Sequence, residues 1–240
     1  MEQAILYSFL AGVVGTGLGG LLACHMGGKQ QDLAGLLYFT AGVMMGMAFF
    51  DLLPEAVEHS PLWLVGLGLL GGAGFVSLAE GVEHMRRPAD RQGGAMLSAG
   101  FIIVLALMLH NLPEGFVIGV AQQDEVLRWA GLIALHNVPG GMAATLPLMQ
   151  GGWKKGRAVA FSALCGLPLM VGAVLGAMAG HMPPLWLSLC LSVAAGSMLF
   201  AAAFELTQTK AEGKRGVLLF LLLCGVLLAL LLSVGHTHAH

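Results

Sequence analysis

Charged residues punctuate this chain so sparsely that the apolar stretches between them can be read directly. With His counted as neutral, the uncharged stretches are 3–28, 33–50, 59–79, 92–113, 129–153, 158–204 and 216–240. A helix needs about 20 apolar residues to cross the hydrocarbon core of a bilayer, so each stretch but one holds a single span. The stretch 158–204 is long enough for two, and His181-Met182-Pro183-Pro184 divides it. Proline ends helices and holds the residue before it extended. The pattern therefore predicts eight helices. Alternation with period two, which would mark a membrane barrel, is absent. The expected fold class is an all-α membrane protein with eight transmembrane helices, one transmembrane domain over 1–240.

Composition agrees. The chain is 57% hydrophobic and 10% charged, against roughly 25% charged in an ordinary soluble domain. Eleven Lys+Arg against thirteen Asp+Glu leave a net charge of −2, so no basic surface exists for nucleic acid, and the lipid bilayer is the expected partner. Glycines cluster at Gly12, Gly15, Gly17, Gly19, Gly20 and at Gly66, Gly68, Gly71, Gly72, Gly74. Small residues let helices approach closely in a medium where water cannot drive association. Cys24, Cys165, Cys190 and Cys224 show no CxxC spacing and read as small buried hydrophobes.

The positive charges orient the chain. Alternating spans place Lys29, Arg86, Arg87, Arg91, Lys154, Lys155, Arg157, Lys210, Lys214 and Arg215 on one side and Arg128 alone on the other. The positive-inside rule then puts both N and C termini outside, in a multi-pass protein of the cell (inner) membrane. Glu2 stands where a signal peptide would carry a basic region, so the first helix is expected to be a retained span.

Repetition is the more informative feature. Helix 4 contains His110-Asn111-Leu112-Pro113-Glu114-Gly115, and helix 5 contains His136-Asn137-Val138-Pro139-Gly140-Gly141. A second echo links Ala41-Gly42-Val43-Met44 with Asp51-Leu52 in helix 2 to Ala195-Gly196-Ser197-Met198 with Glu205-Leu206 in helix 7. The partner helices of each pair run in opposite directions, so the repeats are inverted. Inverted repeats with interrupted helices mark transporters whose site lies near the membrane midplane. His110 and Glu114, four residues apart, share one helix face. Pro113 and Pro139 deprive the carbonyls of Leu109 and Leu135 of their helical donors, predicting interruptions there. A carboxylate at mid-bilayer costs at least ~2.5 kcal/mol and is a functional hypothesis by default. Imidazole, carboxylate and amide oxygen together suit Zn²⁺ and neighbouring first-row divalent ions.

On these motifs, together with Asp51-Leu52-Leu53-Pro54-Glu55-Ala56 at the end of helix 2, the sequence resembles the ZIP (Zrt-, Irt-like) family of divalent metal transporters, of bacterial type, over essentially its whole length. The resemblance implies eight helices with both ends outside, a metal site between helices 4 and 5, often binuclear, and an elevator-like movement of helices 1, 4, 5 and 6 against the others. Carried over by motif, the metal-site residues are His110, Asn111, Glu114, His136 and Asn137, with Met44 as a soft addition. It also implies that Zn²⁺ (or Fe²⁺, Mn²⁺, Cd²⁺) is transported cargo rather than a cofactor. The assembly is left open to a homodimer.

Two positions depart from the family's pattern. Gly140 stands where the second motif normally carries Glu. Gly166-Leu167-Pro168-Leu169-Met170 lacks the acid that similar proteins carry in helix 6. What remains is a centre of two His and one Glu, expected to take one ion per cycle. Two other readings stay open from the residues alone: an intramembrane metal-dependent enzyme, since two His and one Glu also describe a catalytic zinc site, and a transport-inactive metal sensor. The enzyme reading lacks an HExxH motif. Glu80, Glu83 and His84 read as a cytoplasmic helix end or a release point. Glu55, Glu58, His59, Asp124, Glu125, His181 and the tail His236-Thr237-His238-Ala239-His240 are candidates for gathering cations at the entrance.

Overall fold

The computed structural model describes residues 2–25, 30–85, 92–121, 123, 125–179, 183–208 and 215–237, and among them all regular structure is helical. The helices are α1 (Glu2–His25) and α2 (Ala34–His59), α3 (Leu62–Met85), α4 (Gln92–Val120) and α5 (Val126–Gln150). They continue with α6 (Lys155–Ala179), α7 (Pro184–Gln208) and α8 (Arg215–Thr237). Seven of them, all but α3, contain described segments long and apolar enough to cross a membrane; the apolar described segment of α3 is Leu62–Leu78. Large apolar side chains such as Leu70, Leu78, Phe220 and Leu223 are exposed. That is the surface expected where hydrocarbon, not water, is the solvent. The four cysteines are free.

The chain forms two compact units. The first comprises Met1–Leu33 and Ser77–Met178, and so holds α1, α4, α5 and α6; the second comprises Ala34–Val76 and Ala179–His240, and holds α2, most of α3, α7 and α8. Within each unit, glycines let backbones touch. In the first, a Cβ added to Gly19 would fall on the Val138 carbonyl and one on Gly141 on the Thr16 carbonyl, so α1 and α5 cross through reciprocal glycines. Gly115 and Gly172 do the same for α4 and α6, against the carbonyls of Leu169 and Leu112. In the second unit, Gly42 and Gly225 join α2 to α8, and Gly72 and Gly196 join α3 to α7. The echo between helices 2 and 7 thus has a packing meaning: Gly42 and Gly196 are each the crossing point of their helix. Not every predicted packing glycine acts this way. A Cβ on Gly66, Gly71 or Gly74 would meet nothing within 4 Å.

The interruptions do not fall at Pro113 or Pro139. α4 and α5 run unbroken through Pro113, Pro139 and Pro147. Losing one ladder bond is tolerated where neighbouring helices enclose the segment. Instead α1 contains a π-helical turn at Leu10–Val14 and α2 one at Ala48–Leu52. α6 breaks into Lys155–Leu164 and Leu167–Ala179, with a turn at Cys165 and Gly166.

Candidate metal centre

α4 and α5 cross within the first unit, and the two His-Asn-x-Pro motifs meet there. His110, Asn111, Glu114, His136 and Asn137 are all buried, none more than 4% exposed. His110, Glu114 and His136 each offer a ligand atom, and these atoms lie within 4.8 Å of one another. Glu114 Oε2 is 3.2 Å from His136 Nε2. Ligands on one tetrahedral Zn²⁺, each about 2.0–2.1 Å from the metal, stand roughly 3.3 Å apart. The spacing fits a single ion shared by both helices.

The unsatisfied atoms point the same way. His110 Nδ1 donates its proton to the Ala106 carbonyl one turn earlier, at 2.9 Å. A carbonyl only accepts, so this bond fixes the tautomer and leaves Nε2 with a lone pair to offer. His110 Nε2 and Glu114 Oε1 are both buried without a hydrogen-bond partner. A buried acceptor with no donor costs about 1–3 kcal/mol, more when charged; a cation removes that cost. Two imidazoles and one carboxylate also leave a coordination position open, as sites that exchange ligands require.

Asn111 and Asn137 lie beside the ligands but use their amide nitrogens differently. Asn111 Nδ2 donates to the Cys165 carbonyl at 2.9 Å and Asn137 Nδ2 to the Ala11 carbonyl at 3.2 Å. Both Oδ1 atoms remain buried without a hydrogen-bond partner. Sequence reasoning does not reach these backbone acceptors; Pro168, which cannot donate to Leu164, is the visible signal in α6. Met44 is buried in the second unit, whereas the His110–Glu114–His136 cluster lies entirely in the first. At the position of the missing second acid, a Cβ on Gly140 would stand 2.9 Å from Leu107 Cδ2, the end of a flexible side chain. The backbone there is ordinary helix, since the positive-φ glycine among the described residues is Gly152. Leu169 is fully buried and carries no ligand atom on its side chain.

Comparison with known proteins decides the family. The model of the ZIP zinc transporter family matches residues 80–233, a segment that includes both His-Asn-x-Pro motifs. The chain belongs to the ZIP family. Curated relatives agree with that membership. It is 30% identical to the zinc transporter ZupT of Corynebacterium glutamicum, over 88% of this chain and 90% of that protein. It is 31% identical to the zinc transporter GufA of Myxococcus xanthus, over 89% and 90%. A ZupT of Streptococcus mutans is 26% identical over 94% of each chain. As a ZIP protein with seven candidate spans among its described residues, the chain is a multi-pass membrane protein.

The peripheral candidates are less organised. His59 bonds through Nδ1 to the carbonyl of Glu55 at 2.9 Å, and Glu125 pairs with Arg128 at 3.4 Å. The side chains of Glu80, Glu83, His84 and His236, together with Asp124, His181 and residues 238–240, lie outside the described residues.

Proposed function

We propose that this ZIP protein carries a divalent transition-metal ion, Zn²⁺ first, across the inner membrane into the cytoplasm, binding it near the midplane between α4 and α5. The buried His110–Glu114–His136 cluster carries this reading. His110 and His136 supply neutral nitrogen ligands and Glu114 the charge; Asn111 and Asn137 stand ready as amide oxygens. Nitrogen and oxygen donors also admit Fe²⁺, Mn²⁺ and Cd²⁺. Because the chain belongs to a family of zinc transporters, the ion is read as cargo. The whole chain acts as one transporter domain of eight spans, with α3 as the eighth and both termini outside. α1, α4, α5 and α6, which form one compact unit, are the helices expected to move with the ion.

Proteoliposomes containing the purified protein test transport directly. Zn²⁺ is expected to accumulate down its gradient. Binding without flux would instead favour a sensor, and turnover of a substrate without flux an enzyme. Orientation has its own test, resting on the ten-to-one Lys/Arg asymmetry. A cysteine at Gln122 is expected to react with an impermeant thiol reagent from outside and one at Gln92 only from inside. The reverse pattern overturns the uptake direction.

A further inference from the structure

Metal ligation makes no use of two buried groups, the amide nitrogens of Asn111 and Asn137. We propose that these asparagines are positioning residues, a pair of latches that hold the interruptions of α6 and α1 in shape and couple them to the bound ion. The inference rests on the metal-centre reading above.

Each latch closes on a backbone irregularity. In a continuous helix the Leu169 N–H would serve the Cys165 carbonyl four residues earlier. Here it goes to Gly166, at 3.2 Å, and the Cys165 carbonyl takes Asn111 Nδ2 at 2.9 Å instead. In α1 the π turn lengthens the ladder, with the Gly15 N–H reaching back to the Leu10 carbonyl. Asn137 Nδ2 donates to the Ala11 carbonyl inside that turn. The two irregular segments also touch each other. A Cβ on Gly12 would fall on the Gly166 carbonyl, and one on Gly166 would fall on the backbone of Gly12. A continuous chain of contacts therefore runs from Asn137 through Ala11 and Gly12 to Gly166 and Cys165, and back to Asn111. Its two ends are the sequence neighbours of the ligands His136 and His110.

The amide chemistry makes this chain responsive. With Nδ2 committed to a carbonyl, each carboxamide cannot flip, so the direction of its Oδ1 is set. Both Oδ1 atoms are buried and lack a hydrogen-bond partner. A cation near Oδ1 draws electron density from the amide and strengthens its N–H···O=C bond, as hydrogen bonds in a chain polarise one another at low dielectric. Ion binding then stabilises both interruptions, and by linkage the interruptions strengthen ion binding by the same factor.

Asn→Asp separates a latch from a ligand. Aspartate keeps the size and offers a better metal oxygen, but its carboxylate only accepts and would face a carbonyl. Purified Asn111→Asp and Asn137→Asp are expected to keep binding Zn²⁺ in calorimetry, the added carboxylate charge offsetting the affinity lost with the linkage, while proteoliposome flux falls about tenfold, the scale of one buried hydrogen bond lost. In wild type, Zn²⁺ is expected to slow amide exchange over residues 10–16 and 162–170, and Asn111→Asp should lose that protection over 162–170. Wild-type flux in both variants, or no Zn²⁺-dependent protection of these segments in wild type, overturns the latches and leaves the metal centre standing. Absence of Zn²⁺ binding to the wild-type protein overturns the metal centre, and the latches fall with it.

Discussion

Each of the two units is held together internally by the same device, reciprocal glycines at helix crossings, yet they bury different chemistry. In the second unit the buried hydroxyls bond to helix carbonyls: Thr40 to Leu36 at 3.1 Å, Ser188 to Ala56 at 2.7 Å, Ser192 to Ser188 at 2.7 Å and Ser197 to Ala194 at 2.8 Å. Nothing further is needed to satisfy them. In the first unit His110 Nε2, Glu114 Oε1 and the Oδ1 atoms of Asn111 and Asn137 are buried without hydrogen-bond partners. Unsatisfied polar groups at membrane depth cost several kcal/mol each. On the transport reading proposed above, a bound ion completes these groups. The contrast sets polar groups that serve helix packing apart from candidate ligand groups.

The sharpest way to break that comparison is to remove a ligand from one unit and a hydroxyl from the other. Glu114→Ala and His110→Ala are each expected to lower flux by roughly 100-fold or to background, since even outer partners of metal ligands are worth 10–100-fold. Ser192→Ala removes a bond worth about 1 kcal/mol that leaves no group stranded, so flux should stay near wild type. Flux measured at matched protein levels decides it. Wild-type transport by Glu114→Ala would place the site elsewhere.

The shared glycine device predicts the next effect. Gly115 meets the Leu169 backbone, whereas Gly66 meets nothing within 4 Å. Gly115→Ala must push α4 from α6, and overpacking of this kind costs about 1–3 kcal/mol. Gly66→Ala should change stability by less than about 0.5 kcal/mol. Thermal unfolding in detergent compares the two. Equal behaviour would show that the glycine crossing does not hold α4 against α6 within the first unit.

How much of this could be read in advance differs by level. Sparse charges give the spans, because only uncharged stretches of adequate length cross a bilayer. His110 and Glu114 are legible as a pair through their four-residue spacing, and His136 through the repeated motif. The location of the breaks is not legible in the same way. Pro113 and Pro139 mark lost hydrogen bonds, but neighbouring helices carry α4 and α5 through them. The π turn in α1 contains no proline at all; the partner of its Ala11 carbonyl is Asn137 on α5, 126 residues away in sequence. The difference between packing and non-packing glycines is likewise tertiary: Gly68 and Gly72 face α7, while Gly66, Gly71 and Gly74 face open space.

The internal repeat offers a third test, because Gly140 occupies the register of Glu114. Two neutral imidazoles and one carboxylate leave a divalent ion with a formal site charge of +1. At an effective dielectric near 20, a second carboxylate about 4 Å away gains at most about 4 kcal/mol. Displacing the tip of Leu107 offsets about 1–3 kcal/mol of this. Gly140→Glu is therefore expected to tighten Zn²⁺ binding about tenfold or more and to slow its release, read by calorimetry beside flux. Unchanged affinity, or two ions bound tightly by the wild-type protein, overturns the one-ion centre.

The smallest expected effect concerns Met44. Met44 lies in the second unit and is almost fully buried, and the family resemblance adds its thioether to the metal chemistry. Met44→Leu conserves volume and apolar character, so stability should change by less than about 1.5 kcal/mol. What leucine cannot replace is the polarizable sulfur, which favours softer ions over harder ones. Zn²⁺ flux is expected to stay near wild type while Cd²⁺ flux falls relative to it, because a soft ligand matters most to the softest cargo. Competition between the two ions in the same proteoliposomes reads that ratio without dependence on protein yield. A ratio unchanged by Met44→Leu removes Met44 from the metal chemistry and confines the ligands to the first unit. A shifted ratio shows that Met44 of the second unit contributes to selectivity.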